Sequence, residues 1–321
     1  MSGSTIKIFA SDFGTLTTLR IYNHGLITIN IEYFKWENQK PVIWFERSEE
    51  IEKSLIGSIS ALDRSQVYVP IKRGTFSRFY LTSDDRILEY DIDRVLFEER
   101  SPFQKVQVVH SMSLRNMLVL DGLQNISEAD LIYTETLMQR GVENYKNKEI
   151  VILGGGDGAL LYELLKENPR YVTMLELDDT VMRACNEHMK SVCGDVLDKK
   201  TTLYYQIIVG NCMKSLNLFR SEGRKFDYVF GDLTYVPISD TSSGEKWDFI
   251  RKILQMSFEI LKPTGKFMTH CNGVNCPEAL KMYESELKKL TPPVTINKAT
   301  AYIPSFYEDW VFYQINFAEK P

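Results

Sequence analysis

The sequence predicts an α/β fold: a mostly parallel sheet with helices on both faces, an antiparallel hairpin at one edge, and smaller β-rich segments ahead of it. Three observations carry this. The apolar run Val151-Ile152-Leu153 enters the glycine loop Gly154-Gly155-Gly156-Asp157-Gly158, and a helical stretch from Ala159 to Glu167 follows. From Lys148 onward, strand-like and helix-like segments alternate, which implies βαβ units. At the end, Val294–Tyr302 and Trp310–Phe317 succeed one another with only a Pro-Ser turn between them, so they pair as a hairpin.

The elements divide the chain into three parts. Residues 1–90 predict an α+β domain, with period-2 strands at Leu26–Tyr33 and Gln66–Ile71; Asp12–Arg20 and Ser48–Leu62 are expected to be helical or irregular. Residues 91–135 predict a small antiparallel sheet, with strands at Val106–His110 and Asn116–Leu120 and a turn at Asp121-Gly122. Residues 136–321 predict the parallel sheet, with strands at Glu149–Leu153, Tyr171–Glu176, Tyr204–Val209, Phe226–Phe230 and Gly265–Thr269. Helices are expected at Asn211–Arg220, Trp247–Leu261 and Pro277–Leu290. The hairpin edge marks the methyltransferase-type variant of the Rossmann-like fold.

Composition narrows the function. The 321 residues are 44% hydrophobic and 25% charged, with a formal net charge of -5, an ordinary globular composition of two domains' length. There is no basic stretch interleaved with aromatics, so nucleic acid is not an expected partner. Met1–Lys7 lacks an apolar signal core and no run approaches ~18 apolar residues, so no membrane partner and a cytoplasmic location are expected. Five cysteines fit free thiols. Cys271 and Cys276, although near His270, lack zinc spacing, and no metal is expected.

The glycine loop carries the chemistry. Gly154, Gly156 and Ala159 satisfy a loose dinucleotide pattern. Asp157, however, places a negative charge where the helix N-terminus would otherwise attract phosphate. A pyrophosphate is repelled there and a nucleoside bearing a cation, such as an S-adenosyl sulfonium, is favoured. Glu176 ends the second strand about 20 residues on, where a carboxylate accepts ribose hydroxyls. Asp178 suits the cap of the following helix, and capping is the alternative role for Glu176. In an open parallel sheet the ligand lies beyond the strand C-termini at the switch in strand order. That brings Asp232, after the fourth strand, towards Asp157. The alternative for Asp232 is a loop or capping carboxylate. Asp227, at the other end of its strand, is expected to be structural.

Two carboxylates beside a sulfonium suit a polyamine, whose ammonium groups need charge-assisted hydrogen bonds. The attacking nitrogen must lose a proton, and a carboxylate differs from an alkyl amine by about six pKa units. Burial beside the cationic sulfur narrows that gap. As nitrogen gains positive charge in the transition state, a nearby carboxylate stabilises it.

These residues resemble the aminopropyltransferase family, the spermidine and spermine synthases. The resemblance is carried by Leu153–Gly158, Leu175-Glu176-Leu177-Asp178, Phe226–Val229, and Asn116–Gly122 followed by Glu128, Asp130 and Tyr133. The segment Asp232-Leu233-Thr234-Tyr235-Val236-Pro237-Ile238-Ser239, with Cys193–Asp198 and Pro304–Trp310, resembles the spermine synthase branch; spermidine synthases usually continue Asp-Ser-Ser-Asp-Pro. The resemblance covers residues 101–317 well and the N-terminal part more weakly. It implies aminopropyl transfer from decarboxylated S-adenosylmethionine, a co-substrate and not a tightly bound cofactor, to spermidine, giving spermine and methylthioadenosine. It implies Asp232 as proton acceptor with Asp157 beside the attacking nitrogen. Tyr133, Phe306 and Glu308 would lie along the polyamine, and Gln104, Gly154, Gly156, Glu176, Asn211 and Cys212 around the nucleoside. It implies a homodimer through the N-terminal domain. On sequence alone, Glu308 is a solvated loop acid, Tyr133 a helix-face residue and Gln104 a surface strand residue.

The chain departs from the family pattern at four positions. Asn211 stands where an acid usually accepts from the adenine amino group, and Phe306 where the spermine synthase branch has tyrosine. Arg115 and Ala159 replace glycines. The alternatives are a spermidine synthase using putrescine, a methyltransferase on the same fold, and a catalytically silent dimeric homologue. Asp157 opposes a methyl donor that keeps its carboxylate.

Overall fold

Alternation along one strand decides the architecture. Ile150 and Ile152 belong to one buried cluster, and Val151 and Leu153 to another. Successive side chains of a strand point to opposite faces, so a strand apolar at every position must be covered on both. The computed structural model describes residues 3–11, 14–36, 40–68, 70–74, 76–234 and 244–318. The chain divides into two compact units, residues 1–75 and 76–321.

In the first unit, β1 (Ser4–Ala10), β2 (Thr15–Tyr22) and β3 (Ile27–Tyr33) form an antiparallel meander, followed by helix α1 (Phe45–Ser58). Two sequence expectations are corrected here. Asp12–Arg20 is not helical or irregular: from Thr15 it is β2, paired on both sides, and its threonines and Ile21 are β-branched side chains that favour a pleated surface. Asp12 and Phe13 lie outside the described residues. Gln66–Ile71 is not a strand at the described positions 66–68, 70 and 71. Pro70 has no N–H to give to a ladder, and Val69 lies outside the described residues.

The second unit opens with the short hairpin β4 (Phe79–Leu81) and β5 (Ile87–Glu89). The four-stranded antiparallel sheet β6 (Ile92–Arg100), β7 (Lys105–Ser111), β8 (Arg115–Leu120) and β9 (Leu123–Ser127) follows. Residues 76–90 pack here rather than with the N-terminal domain: Tyr80 and Tyr90 share a cluster with Ile92, Val109 and Met117. Asp121 and Gly122, both at positive φ, make the two-residue turn between β8 and β9. Arg115 also has positive φ, 61°, a conformation glycine holds without strain.

Then come α2 (Leu131–Leu137), β10 (Glu149–Gly154), α3 (Ala159–Leu165), β11 (Tyr171–Glu176), α4 (Asp179–His188), α5 (Lys190–Cys193), β12 (Tyr205–Val209), α6 (Cys212–Ser221), β13 (Phe226–Asp232), α7 (Glu245–Glu259), β14 (Leu261–Gly273), α8 (Pro277–Leu287), β15 (Val294–Ile303) and β16 (Glu308–Phe317). The seven-stranded sheet runs β12-β11-β10-β13-β14-β16-β15, and β16 runs against the other six, pairing antiparallel with β14 on one side and β15 on the other. This is the Rossmann-like, methyltransferase-type sheet with its antiparallel hairpin edge. Leu160, Leu161 and Leu164 of α3 cover one face; Leu216, Phe219, Trp247, Ile250 and Leu254 of α6 and α7 cover the other. Each such side chain contributes about 1.5–3 kcal/mol on burial. Among the described residues no helix is long and apolar enough to cross a membrane.

The chain leaves β10 towards β11 and β12, then returns to place β13 on β10's other side. The strand order therefore switches between β10 and β13. There Gly154 lies opposite Asp232, and a Cβ on Gly154 would overlap the Asp232 carbonyl oxygen. Its φ of 86° adds strain for any other residue. Gly154→Ala is expected to cost about 2 kcal/mol or more, measured as a fall in the urea midpoint; an unchanged midpoint would show that the strand ends can part.

Candidate active site

The switch point concentrates the acidic side chains. The Gly155 N–H donates to the Asp232 carbonyl at 3.2 Å, so the glycine loop is stitched to the end of β13. A Cβ on Gly156 would come within 2.7 Å of Glu176 Oε2, so only glycine lets that carboxylate approach the loop backbone. Asp157 Oδ1 accepts from the Ala159 N–H at 2.8 Å, which occupies the N-terminus of α3. Asp232 Oδ1 accepts from the Tyr133 hydroxyl at 3.1 Å. Tyr133 itself is buried on α2, its ring against Phe312, His270 and Phe306.

Burial and mutual repulsion govern the charges. Burial, with Asp157 adding to it, pushes the Asp232 carboxyl up to about 8 against the opposing Tyr133 hydrogen bond. Burial raises Asp157. It also pushes Glu176 up to about 7, although the Asp178 N–H donates to Glu176 Oε1 at 2.7 Å. Burial and Asp232 raise the Tyr133 hydroxyl well above its ordinary value. Among the described residues no Lys, Arg or His forms an ion pair or hydrogen bond with any of the three carboxyls. The crevice is therefore a set of acids lacking a cation, the complement of a ligand that brings one.

The other predicted residues fall around this group. Gln104 is half-buried, and its amide donates to Asp178 Oδ2 at 3.1 Å, beside the Ser101 hydroxyl at 2.6 Å. Asp178 caps α4 through the Thr180 N–H at 3.0 Å, as its position predicts. Asn211 caps α6: its amide oxygen accepts from the Met213 N–H at 2.9 Å. Cys212 is buried behind it, its thiol pushed up to about 11 by burial. Phe306 is buried edge-on against Trp310, at 4.8 Å between centroids, and Tyr133. Glu308 is buried and not a solvated loop acid; its carboxylate is taken up by Ser83. Asp227 binds the Glu149 N–H and Lys262 at the opposite end of the sheet. Tyr235–Ser239, which carry part of the family resemblance, lie outside the described residues.

Two residues not singled out for the site hold it together. His270 presents Nε2 to the Leu233 carbonyl at 2.9 Å, next to Asp232, and burial pushes its pKa down to about 4. It is thus a neutral support that donates through Nε2. Asp130 is buried and accepts from the Ser127 N–H at 2.6 Å and the Ser305 N–H at 2.9 Å. It ties the start of α2, which carries Tyr133, to the loop that carries Phe306. A single acid before a helix reads as a cap, and only the fold reveals the second tie.

The raised carboxyls make a stability prediction. Between about pH 4 and pH 8 the native protein holds a proton on Asp232 that the unfolded chain, near its ordinary 3.8, has released. The unfolded state binds fewer protons, so this group's contribution to stability falls as pH rises. Asp232→Asn is expected to be more stable relative to the parent at pH 8 than at pH 5, by about 1 kcal/mol or more. Urea unfolding at both pH values checks this, and a pH-independent difference would contradict it.

Known proteins resemble this chain in sequence and in fold. The sequence profile of the spermine/spermidine synthase domain matches residues 130–320, and that of the spermidine synthase tetramerisation domain matches residues 78–128. The polyamine aminopropyltransferase of Aeropyrum pernix is 26% identical over 239 residues, covering 73% of this chain and 72% of that protein. Polyamine aminopropyltransferase 1 of Hyperthermus butylicus is 30% identical over 221 residues, covering 68% and 73%. A spermidine synthase solved with the transition-state analogue AdoDATO superposes with a TM-score of 0.63 at 20% identity, over 82% of this chain and 86% of that one. The spermidine synthase of Thermotoga maritima gives 0.61 at 20% identity, over 82% and 85%. The acid-lined switch point thus sits in a sheet shared with these enzymes, and the chain belongs to the spermine/spermidine synthase family of aminopropyltransferases.

Proposed function

We propose that this aminopropyltransferase moves the aminopropyl group of decarboxylated S-adenosylmethionine to spermidine, releasing spermine and methylthioadenosine. The observation that carries the transfer is the trio Asp157, Glu176 and Asp232, held up in pKa with no cationic partner among the described residues. The sulfonium nucleoside supplies the electrophilic carbon. Glu176, at the end of β11, accepts the ribose hydroxyls, with Gln104, Gly154, Gly156, Asn211 and Cys212 around the nucleoside. Asp157 lies beside the attacking nitrogen, as Asp232's partner. The cationic charges of the bound substrates drive off the proton that Asp232 holds in the empty site, and because burial still raises the carboxyl towards an alkyl amine, the carboxylate then takes the nitrogen's proton more readily than an ordinary one. Tyr133 ties up Oδ1 of Asp232, which leaves Oδ2 for the incoming amine. The aromatic wall of Tyr133, Phe306, Trp310 and Phe312 keeps water from the deprotonated nitrogen.

Spermidine as acceptor is supported by Glu308, a second buried carboxylate beyond this wall for a second ammonium, and by the sequence from Asp232 to Ser239. Putrescine is the alternative acceptor, favoured by Phe306, which offers no hydroxyl to a longer amine. Unpaired thiols at all five cysteines suit a reducing cytoplasm. We also propose that two chains associate through residues 1–90, because Ile6, Ile8, Phe9, Phe34 and Trp36 are exposed in the first unit. Light scattering of the full chain is expected to give twice the chain mass, and a monomer at micromolar concentration would oppose association.

The deciding experiment offers decarboxylated S-adenosylmethionine with putrescine or with spermidine and identifies products by mass spectrometry. Spermine from spermidine, with little product from putrescine, is expected. Spermidine from putrescine would reassign the acceptor, and no methylthioadenosine from either mixture would favour a silent homologue. Asp232→Asn is expected to lower turnover by about 10²-fold or more with nucleoside binding retained; near-normal turnover would remove Asp232 as proton acceptor.

A further inference from the structure

Glu308 is only 4% exposed, yet among the described residues no Lys, Arg or His forms an ion pair with it. Arg86, in the turn between β4 and β5, attracts it without pairing with it, but a buried carboxylate without an ion pair needs donors, and one residue provides them. The Ser83 N–H donates to Glu308 Oε1 at 2.8 Å, and the Ser83 hydroxyl donates to Oε2. Ser83 sits in the turn between β4 and β5, 225 residues away in sequence. The turn is itself braced: the Thr82 N–H donates to the Arg86 carbonyl at 2.9 Å, and the Arg86 N–H donates to the Thr82 hydroxyl oxygen at 3.0 Å. On its other side the Cys276 thiol faces the Ser83 carbonyl at 3.1 Å and the hydroxyl oxygen at 3.4 Å. Gly273, at the end of β14, leaves the space. A Cβ there would fall 2.5 Å from Ser83 Oγ and overlap Glu308 Oε2.

Two neutral donors fix a carboxylate without cancelling its charge. The remaining lone pairs keep the full attraction for an ammonium group, and the side chain loses little freedom when that group arrives. We propose that Ser83 is a positioning residue for the acceptor: it holds Glu308 in the orientation that binds the amine's distal ammonium, and so favours a triamine over a diamine. This rests on Glu308 belonging to the acceptor site, as proposed above.

Steady-state kinetics of Ser83→Ala, Ser83→Thr, Gly273→Ala and Glu308→Gln with spermidine and with putrescine test both statements separately. Loss of a hydrogen bond to a charged group predicts that Ser83→Ala raises KM for spermidine about tenfold. Its kcat at saturating spermidine and KM for decarboxylated S-adenosylmethionine should stay within about twofold, and putrescine kinetics should not change. Gly273→Ala, which crowds the same contact from another strand, should reproduce the effect, and Ser83→Thr, which keeps the hydroxyl, should recover most of it. A merely structural Ser83 would move all parameters together with the melting midpoint. If Glu308→Gln raises KM for spermidine while Ser83→Ala and Gly273→Ala do not, the role of Ser83 is overturned and the acceptor site stands. If Glu308→Gln leaves KM for spermidine unchanged, the placement of Glu308 fails, and Ser83 with it.

Discussion

The pairing of Gly154 with Asp232 across β10 and β13 is the constraint on which the rest depends. It comes from two runs of apolar residues buried on both faces, whose burial energy the acids at their ends do not supply. Where the two strands stop hydrogen-bonding, the chain diverges, and the loops that follow have nowhere to place Asp157 and Asp232 but one crevice. The backbone contact is close enough that a side chain at Gly154 cannot be accommodated. Acid placement is thus a product of the sheet's register, and the chemistry inherits the precision of the core.

The proposed acceptor side is built differently. No single strand end delivers it. Asp130 bridges the turn before α2 and the loop after β15, and the Tyr90 hydroxyl donates to the Ser305 carbonyl at 2.6 Å. Trp310 and Phe306 pack edge-on, and His270 supports Leu233. These ties connect the small antiparallel sheet, α2 and the hairpin edge of the large sheet into one wall. The Asp130–Ser305, Tyr90–Ser305 and His270–Leu233 ties join segments far apart in sequence, and they gather at the proposed acceptor end.

Legibility in the sequence follows the same division. The parallel strands, the glycine loop, the Asp178 cap and the joint position of Asp157 and Asp232 were visible because periodicity and strand order are local or nearly local signals. β2 was not, since a threonine-rich strand in a small sheet lacks the apolar alternation that marks a half-buried one. Gln66–Ile71 carried that alternation but also Pro70, and the missing N–H counts for more than the pattern. The partners of Gln104 and Glu308 were invisible for another reason. Each is a polar side chain whose hydrogen bond is chosen by the assembled fold: Gln104 reaches Asp178, and Glu308 finds Ser83 across more than two hundred residues.

Asn211 also shows how a substitution is absorbed. An acid at that cap would both satisfy the Met213 N–H and carry charge towards the base of the proposed nucleoside. The amide keeps the cap, because its oxygen still accepts, and gives up the charge. Helix integrity and ligand affinity are separable at that position, since capping needs only a lone pair whereas a strong bond to an exocyclic amine benefits from an anion. The same separation operates in the acid crevice. Asp157 and Glu176 each spend one oxygen on a backbone N–H, and Asp232 spends one on Tyr133. Those bonds hold the carboxyls in place when no ligand is present. The second oxygen of each remains for a cation whose arrival relieves the repulsion among them. A crevice of acids held by neutral donors is therefore stable enough to fold and unsatisfied enough to bind, and a lysine or arginine side chain placed against those carboxyls would improve the first property at the expense of the second.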